Sequence, residues 1–355
     1  MPALLGLVLR CIPQFVCGHM TDLYPLLMSP AFDPRPWGTT DLSPIYPNHR
    51  FDEKIGESWL TGDNGKVANG PLRGKSLAEL SAQYGRQLVG DAVKDLTRFP
   101  LLTKFLFPHE KLSVQVHPDD EAARRVGQPC GKTECWYVAH ARPGAQIALG
   151  LQRGVIRTQF EKAIHEQRAE ELLNWINVFP GEMIYVAGGT VHTLGPGSII
   201  VETQQQSDTT YRLYDYGRRR ELHLKEGLAA VKEKVSSGKV IRPAPTMLSG
   251  TRNRWSPLVA SPFFVVEMFE LKEGQNFRTK DTQTTESKSS AQILVAVEGC
   301  AVVEAPGAEP VTLAKGDAVV VPASINNFHV RPQWTVEFLK ASLPGSSVPE
   351  PETRI

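Results

Sequence analysis

The sequence predicts a mainly β protein with some α-helix, built from a duplicated β-barrel unit and a small helical region. Short β-branched and aromatic runs, divided by glycine and proline, cover about 99–215 and 261–343. Such spacing is typical of antiparallel β-structure. Each block carries a similar phrase, GEMIYVAGGTVH from Gly181 and GDAVVVPASINNFH from Gly316. Two copies in separate blocks indicate that one β-unit has been duplicated.

Three segments carry helix signals. Ser76 and Glu79 have the spacing of a capping box at the start of SLAELSAQYG. A partial apolar stripe predicts a helix near 155–174. The stretch ELHLKEGLAAVKEK predicts another helix over about 222–234.

The domain organisation follows from length and composition. A chain of 355 residues is long enough for two domains with separate cores. The stretch SSGKVIRPAPTMLSG is rich in serine, proline and glycine, which is typical of a connector. We therefore predict a disordered N-terminal extension, an N-terminal unit with helices, a connector, a C-terminal unit and a flexible tail, over 1–19, 20–235, 236–260, 261–343 and 344–355.

Composition excludes several classes of function. The 39 basic and 38 acidic side chains leave a net charge of +1, so no overall field attracts nucleic acid or an anionic membrane. The apolar run over 3–9 is too short to span a bilayer. Five cysteines without framework spacing indicate a reduced, cytoplasmic protein. The basic run Arg218–Arg220 is interpreted as a solvated loop.

The stretch KLSVQVHPDD places several polar groups on one face of a strand. Side chains alternate along a strand, so Val114 and Val116 face one layer while Ser113, Gln115 and His117 face the other. Taken alone, such a segment is more often a half-exposed edge strand whose polar face meets water. The rest of the chain must decide between that interpretation and a site.

Two further β-segments carry chemically active side chains. In GKTECWYV, alternation puts Lys132 and Glu134 on the same side of a strand. In GGTVHTLGPG, glycines flank His192, as expected where the backbone bends to aim one side chain inward. Alone, the Lys and Glu are more often a surface pair, and the His is more often a packed or surface residue.

The stretch SIIVETQQQSDTTYRLYD is unusually polar for a strand-like run. Glu202, Gln204 and Gln206 fall on one face, and Arg212 follows a turn. Successive glutamines are poor core material. They predict a wet cavity.

Together these segments supply two imidazoles, a carboxylate and an amide oxygen, from His117, His192, Glu134 and Gln115. This donor set suits a divalent metal of borderline softness, and zinc is the leading choice. One carboxylate leaves the centre with a positive formal charge and therefore with Lewis acidity.

These segments, with the upstream WG, IGESW and GPLRGKSLAEL, resemble the short bacterial form of type I mannose-6-phosphate isomerase, a zinc-dependent cupin. The likeness runs in order from about 25 to 343 and is densest over 104–218. It implies two cupin, jelly-roll-like β-barrels, the first catalytic and the second metal-free. In the second block, AQILVAVEG offers no ligand pair and only His329 corresponds to His192.

The resemblance also implies roles for individual residues. One Zn²⁺ per chain is expected on the ligands Gln115, His117, Glu134 and His192. The expected catalytic residues are Lys132, Glu202 and Arg212. The expected substrate-binding residues are Lys104, Ser113, Lys132 and Arg212.

The implied activity is interconversion of mannose 6-phosphate and fructose 6-phosphate through a cis-enediol, with Glu202 as the best candidate to carry the proton. The expected partner is a small sugar phosphate, with neither nucleic acid nor membrane, in a cytoplasmic monomer or homodimer. Three alternatives stay open at this point: an isomerase of another hexose phosphate, an iron-dependent cupin oxygenase, and a non-catalytic sugar-phosphate-binding cupin.

Overall fold

A computed structural model describes residues 23–280 and 288–355. The extension predicted over 1–19 lies outside the described residues. Strands far outnumber helices in the described ranges, so the prediction of a mainly β protein with some α-helix is confirmed. None of the described helices has the length and apolarity that crossing a bilayer requires.

The described helices are short. They are α1 (Leu77–Tyr84), α2 (Arg86–Val89), α3 (Asp120–Arg125), α4 (Arg157–His165) and α5 (Leu224–Ala230), with 3₁₀ turns at Ala169–Leu172 and Ala323–Ile325. The capping box before α1 is confirmed, because the Glu79 amide donates to Ser76 Oγ and the Ser76 amide donates to Glu79 Oε2. Helix α4 is shorter than predicted. Gln167 has a φ of 60°, which is incompatible with continuing the helix.

The strands follow in chain order. They are β1 (Leu26–Ser29), β2 (Ala31–Thr39), β3 (Ile55–Trp59), β4 (Lys66–Val67), β5 (Leu101–Leu106), β6 (Val114–Val116), β7 (Glu134–Ala141), β8 (Gln146–Leu151), β9 (Leu173–Asn177), β10 (Met183–Val186), β11 (His192–Leu194), β12 (Ser198–Gln205), β13 (Tyr211–Tyr214), β14 (Gly238–Val240), β15 (Thr246–Met247), β16 (Arg254–Ala260), β17 (Val265–Leu271), β18 (Gln275–Arg278), β19 (Gln292–Glu304), β20 (Val311–Ala314), β21 (Ala318–Val321), β22 (Asn327–Ser342) and β23 (Thr353–Arg354).

These strands form three sheets. An eight-stranded sheet has the order β2-β3-β5-β12-β7-β10-β14-β23, and a five-stranded sheet has the order β13-β6-β11-β8-β9. The third sheet has ten strands, with β15-β16-β17-β22-β19-β21-β1-β4 as its main path. The strand pairs are antiparallel, as the sequence predicts.

Alternation along β12 and β7 positions the site. On β12, Ile199 and Val201 join the core shared with the ten-stranded sheet. Ile200 joins a different core, which also contains residues of β8 and β11 from the five-stranded sheet. Glu202 lies two residues beyond Ile200 and therefore shares its face. Trp136 on β7 belongs to the same core as Ile200, so Glu134, two residues before it, points the same way.

The first and the last of the described strands each pair outside the β-block that is nearest to them in sequence. Strand β1 pairs with β21, with Leu26 opposite Val320, and so extends the sheet of the C-terminal block. Residues from the predicted tail pair with β14 instead, with Arg354 opposite Lys239. Main-chain hydrogen bonds form this pairing, which explains why a segment poor in apolar residues can pack. The domain boundaries given above stay predictions.

Candidate metal centre and active-site pocket

Three side chains that can bind a metal converge between the five-stranded and eight-stranded sheets. His117 follows β6, His192 begins β11 and Glu134 begins β7. One ligand atom from each of these residues lies within 4.8 Å of the others, and all three side chains are buried. Gln115 lies directly opposite His192 across β6 and β11, with its Nε2 3.2 Å from His192 Nε2.

Both imidazoles have the tautomer that metal binding needs. His117 Nδ1 donates to the Thr209 carbonyl and His192 Nδ1 donates to the Thr190 carbonyl, each at 2.9 Å. A carbonyl only accepts, so the proton is on Nδ1 and the Nε2 lone pair faces the centre. Burial lowers the pKa of His117 well below its usual value and lowers that of His192 to about 4. Both rings are therefore neutral near pH 7.

Glu134 completes the donor group. Its Oε1 lies 3.5 Å from His192 Nε2, and its Oε2 lies 3.5 Å from His117 Nε2. Oε1 is buried and accepts no hydrogen bond from the described part of the chain. Burial, followed by the charge of Glu202, raises the pKa of the Glu134 carboxyl. A cation among these donors favours the ionised form, so the residues fit a metal ion.

A cavity of about 500 Å³ adjoins this centre. Five cationic and three carboxylate side chains line it, and six of the nine residues predicted for the site are among the lining residues. The charged lining residues are Arg35, Lys104, Lys132, Arg212, Arg220, Glu57, Glu202 and Asp208. Lys132 connects the cavity to the metal centre, because its Nζ lies 3.1 Å from His117 Nε2 and it also pairs with Glu134.

Glu202 is held at both of its oxygens. Trp136 Nε1 donates to Oε2 at 3.0 Å, and Lys104 Nζ lies 3.1 Å from Oε1. Burial alone would raise the pKa of Glu202, but the charges of Lys104 and Lys132 outweigh it and lower that pKa. An ionised carboxylate therefore faces the cavity. Its Oε1 also lies 3.7 Å from Lys132 Nζ.

The remaining predicted residues line the same cavity. Ser113 Oγ donates to Gln115 Oε1 at 3.4 Å. Arg212 lies opposite Gln115 across β13 and β6. Its Nη1 donates to the Glu221 carbonyl at 2.8 Å, while its buried Nε has no hydrogen-bond partner among the described residues.

The glutamines after Glu202 serve the backbone instead of lining this cavity. Gln205 Oε1 accepts from the Thr133 amide at 2.9 Å, and Gln206 Oε1 accepts from the Asp63 amide at 3.2 Å. The structure has a charged cavity beside Glu202 instead, and these glutamines do not line it. Amide side chains in the interior need partners, and the main chain supplies one to the oxygen of Gln205 and one to the oxygen of Gln206.

Sequence reasoning missed four of the charged residues around the cavity. They are Arg35, Glu57, Asp208 and Arg220. The sequence predicts a solvated loop at Arg220, but this side chain lines the cavity and pairs with Asp215 through two hydrogen bonds of 2.6 and 2.8 Å. Arg35 lies two residues before the WG motif, and Glu57 lies in IGESW. These motifs are the sequence signal that could have found the two residues, but neither motif shows where its charged side chain points.

Comparison with known proteins identifies the family. Residues 35–129 match the family described as phosphomannose isomerase type I, catalytic domain. Over 314 residues the chain is 33% identical to the mannose-6-phosphate isomerase of Streptococcus mutans, an alignment that covers 86% of this chain and 94% of that protein. The chain belongs to the type I phosphomannose isomerase family.

Other phosphomannose isomerases agree with this assignment. The mannose-6-phosphate isomerase ManA of Bacillus subtilis is 41% identical over 221 residues, which cover 58% of this chain and 68% of that protein. The crystal structure of the mannose 6-phosphate isomerase from Bacillus subtilis superposes with a TM-score of 0.78 at 30% identity, covering 89% of this chain and 99% of that one. The likeness therefore extends well beyond the matched residues 35–129.

Proposed function

We propose that the chain is a zinc-dependent aldose-ketose isomerase that interconverts mannose 6-phosphate and fructose 6-phosphate through a cis-enediol. The observation that supports this most is the position of Glu202. This ionised carboxylate lines a cavity that adjoins the buried His, His, Glu donor group, and Lys132 lines the same cavity and contacts His117 and Glu134. Moving a proton between adjacent carbons needs such a base together with electrophilic help at the oxygens.

The metal assignment follows from donor chemistry. We assign the ligands as Gln115, His117, Glu134 and His192, with one Zn²⁺ per chain. Neutral imidazole nitrogens with oxygen donors favour zinc over calcium or magnesium, which prefer oxygen ligands alone. When bound, zinc supplies a Lewis acid that polarises sugar oxygens. Rotation of the Gln115 amide about its last bond brings its oxygen to the side of His192.

The chain's own residues carry the proton and hold the substrate. Glu202 takes a proton from one carbon and returns it to the neighbouring carbon, while Trp136 and Lys104 keep its carboxylate in place. Lys132 and Arg212 stabilise negative charge that develops on the sugar oxygens. These contacts are stronger in the transition state than in the sugar, because charge develops only on the way to the enediol.

The charge of the cavity suits a sugar phosphate. Its five cationic side chains exceed its three carboxylates by two, which complements a phosphate group that carries nearly two negative charges at pH 7. We assign Lys104, Ser113, Lys132 and Arg212 to substrate binding. Their side chains line the cavity together.

The finer organisation belongs to the same proposal. We assign catalysis to an N-terminal cupin over 20–235, a connector to 236–260, a metal-free cupin to 261–343 and a tail to 344–355. The donor residues all lie within the first of these units. We further propose a cytoplasmic monomer or homodimer.

A coupled assay tests the proposal. Purified protein is assayed with mannose 6-phosphate and with fructose 6-phosphate as it stands, after chelation, and after zinc is returned. Turnover of both sugars that is lost on chelation and restored by zinc is the expected result. Turnover of a different hexose phosphate alone would show that the substrate is that sugar phosphate and not mannose 6-phosphate. Binding without turnover in zinc-replete protein, or oxygen uptake with iron, would overturn the proposed activity.

A further inference from the structure

Glu57 joins several groups beside the proposed base. It lies on β3 and is buried. Its Oε1 accepts from Arg35 Nε at 3.0 Å, and its Oε2 accepts from Trp59 Nε1 at 2.7 Å and from Lys104 Nζ at 3.1 Å. Burial alone would raise the pKa of Glu57, but Lys104 and Arg35 outweigh it and lower that pKa to about 2. Glu57 is therefore ionised near pH 7, and both of its oxygens have partners.

Lys104 lies between two carboxylates. Its Nζ is 3.1 Å from Glu57 Oε2 and 3.1 Å from Glu202 Oε1, and it lies 5.0 Å from the centre of the Trp59 ring. Burial alone would lower the pKa of Lys104, but the charges of Glu202 and Glu57 outweigh it and raise that pKa. A lysine side chain has many rotamers, and holding it in one costs entropy. The two carboxylates together fix it in this one.

We propose that Glu57 is a positioning residue for the isomerisation, which holds the Lys104 ammonium against the Glu202 carboxylate. This inference rests on the proposed function. Without the Glu57 carboxylate, Lys104 keeps only one of these two ion pairs and gains freedom to leave Glu202. Arg35 loses its pair with Glu57 and keeps the one with Asp33. A displacement of the base by about 1 Å can cost about a hundredfold in rate.

A matched pair of variants tests the role. Glu57→Gln removes the charge at nearly constant shape. Glu267→Gln is the control, because Glu267 also accepts from a tryptophan, Trp255 at 2.8 Å, and pairs with a lysine, Lys340 at 2.5 Å. Glu267 lies on β17, away from the cavity. Zinc content and unfolding temperature are measured for each variant before kcat and KM.

We expect Glu57→Gln to lower kcat by about tenfold to a hundredfold, with full zinc content and a smaller change in KM. Lys104 is also assigned to substrate binding, so KM should rise, but by a smaller factor than kcat falls, because the ammonium is held against the Glu202 carboxylate. The control should keep the wild-type kcat even if its unfolding temperature falls. Equal kcat in Glu57→Gln and Glu267→Gln would overturn the proposal, as would a loss confined to KM.

A double-mutant cycle then shows whether Glu57 acts through Lys104. In a Lys104→Met background, Glu57→Gln should lower kcat less than about twofold further, because the group that it positions is already gone. Losses that multiply in the double variant would overturn the proposal. If Glu57→Gln does not fold, Glu57→Asp replaces it in the same cycle. That variant keeps the charge but draws the carboxylate back from Lys104 by one methylene group, and it is subject to the same two criteria.

Failure of the proposed function gives a different result. If wild-type protein with full zinc content turns over neither sugar phosphate, the proposed function fails before any variant is compared. If the wild-type protein is active and Glu57→Gln matches Glu267→Gln, only the positioning role fails.

Discussion

The ammonium of Lys132 lies 3.1 Å from Nε2 of His117 and also pairs with Glu134. A lysine thus contacts two of the proposed metal ligands from the cavity side. A cation bound by those ligands would compete with the ammonium for the same lone pairs. Lys132 is therefore placed to turn toward substrate oxygens when a metal is present.

The first prediction concerns this lysine. Lys132→Met should keep or increase zinc content, because one competitor for the ligands is removed. It should lower kcat by about two orders of magnitude, as loss of one preorganised donor does. Metal analysis and the coupled assay measure both quantities. Lys239→Met, which breaks a 2.7 Å pair with Glu182, is the control, and loss of zinc from Lys132→Met would contradict the prediction.

Glu202 is the subject of the second prediction. Glu202→Gln keeps the shape of the side chain but removes the carboxylate that accepts the proton. Turnover should fall by about two to four orders of magnitude, while zinc stays bound because Glu202 is not one of the proposed ligands. Steady-state kinetics on zinc-replete protein measures the effect. Activity like that of the wild type in this variant would remove Glu202 from the role of base.

The third prediction separates the metal centre from the C-terminal block. His117→Ala removes one of two imidazole ligands, so zinc content and activity should be lost together. His329→Ala should retain both, since His329 Nδ1 contacts Asn276 at 2.9 Å in the C-terminal block. Metal analysis after gel filtration, alongside the assay, measures each outcome. A fully active His117→Ala protein without metal would refute the centre.

Tyr46 carries the fourth prediction, which is one of stability. Its buried hydroxyl donates to the Gly316 carbonyl at 2.8 Å, and this hydrogen bond joins the N-terminal part of the chain to the C-terminal β-block. The same hydroxyl lies 3.0 Å from Ser58 Oγ. Tyr46→Phe leaves a buried carbonyl without this donor, which should lower the free energy of unfolding by about 1–3 kcal/mol. Urea unfolding of this variant and of Tyr84→Phe, on the half-exposed end of α1, provides the comparison. Equal stability of the two would contradict the prediction.

Alternation along single strands was accessible from the sequence. It places Ser113, Gln115 and His117 on one side of their strand and Lys132 with Glu134 on one side of another. The capping box at Ser76 was likewise local. Such features depend on residues two or three apart, so a single sequence contains all the information they need.

Contacts between distant segments were not accessible in this way. Nothing local pairs Gln115 with His192 or brings Glu57 to within reach of Lys104. The local sequence around Arg220 indicates a solvated loop, whereas the fold places this side chain beside the cavity. Strand register and sheet order decide these contacts, and each depends on the packing of the whole chain.

Residue patterns were enough to predict a mainly β protein, the family that it resembles and the donor types of a metal centre. Only folding places Glu202 in a cavity that adjoins that centre and Lys104 between Glu202 and Glu57. The two kinds of information differ in range. Side-chain alternation acts over neighbouring residues, whereas the charge around a buried carboxylate is the sum of groups that only the folded sheets bring together.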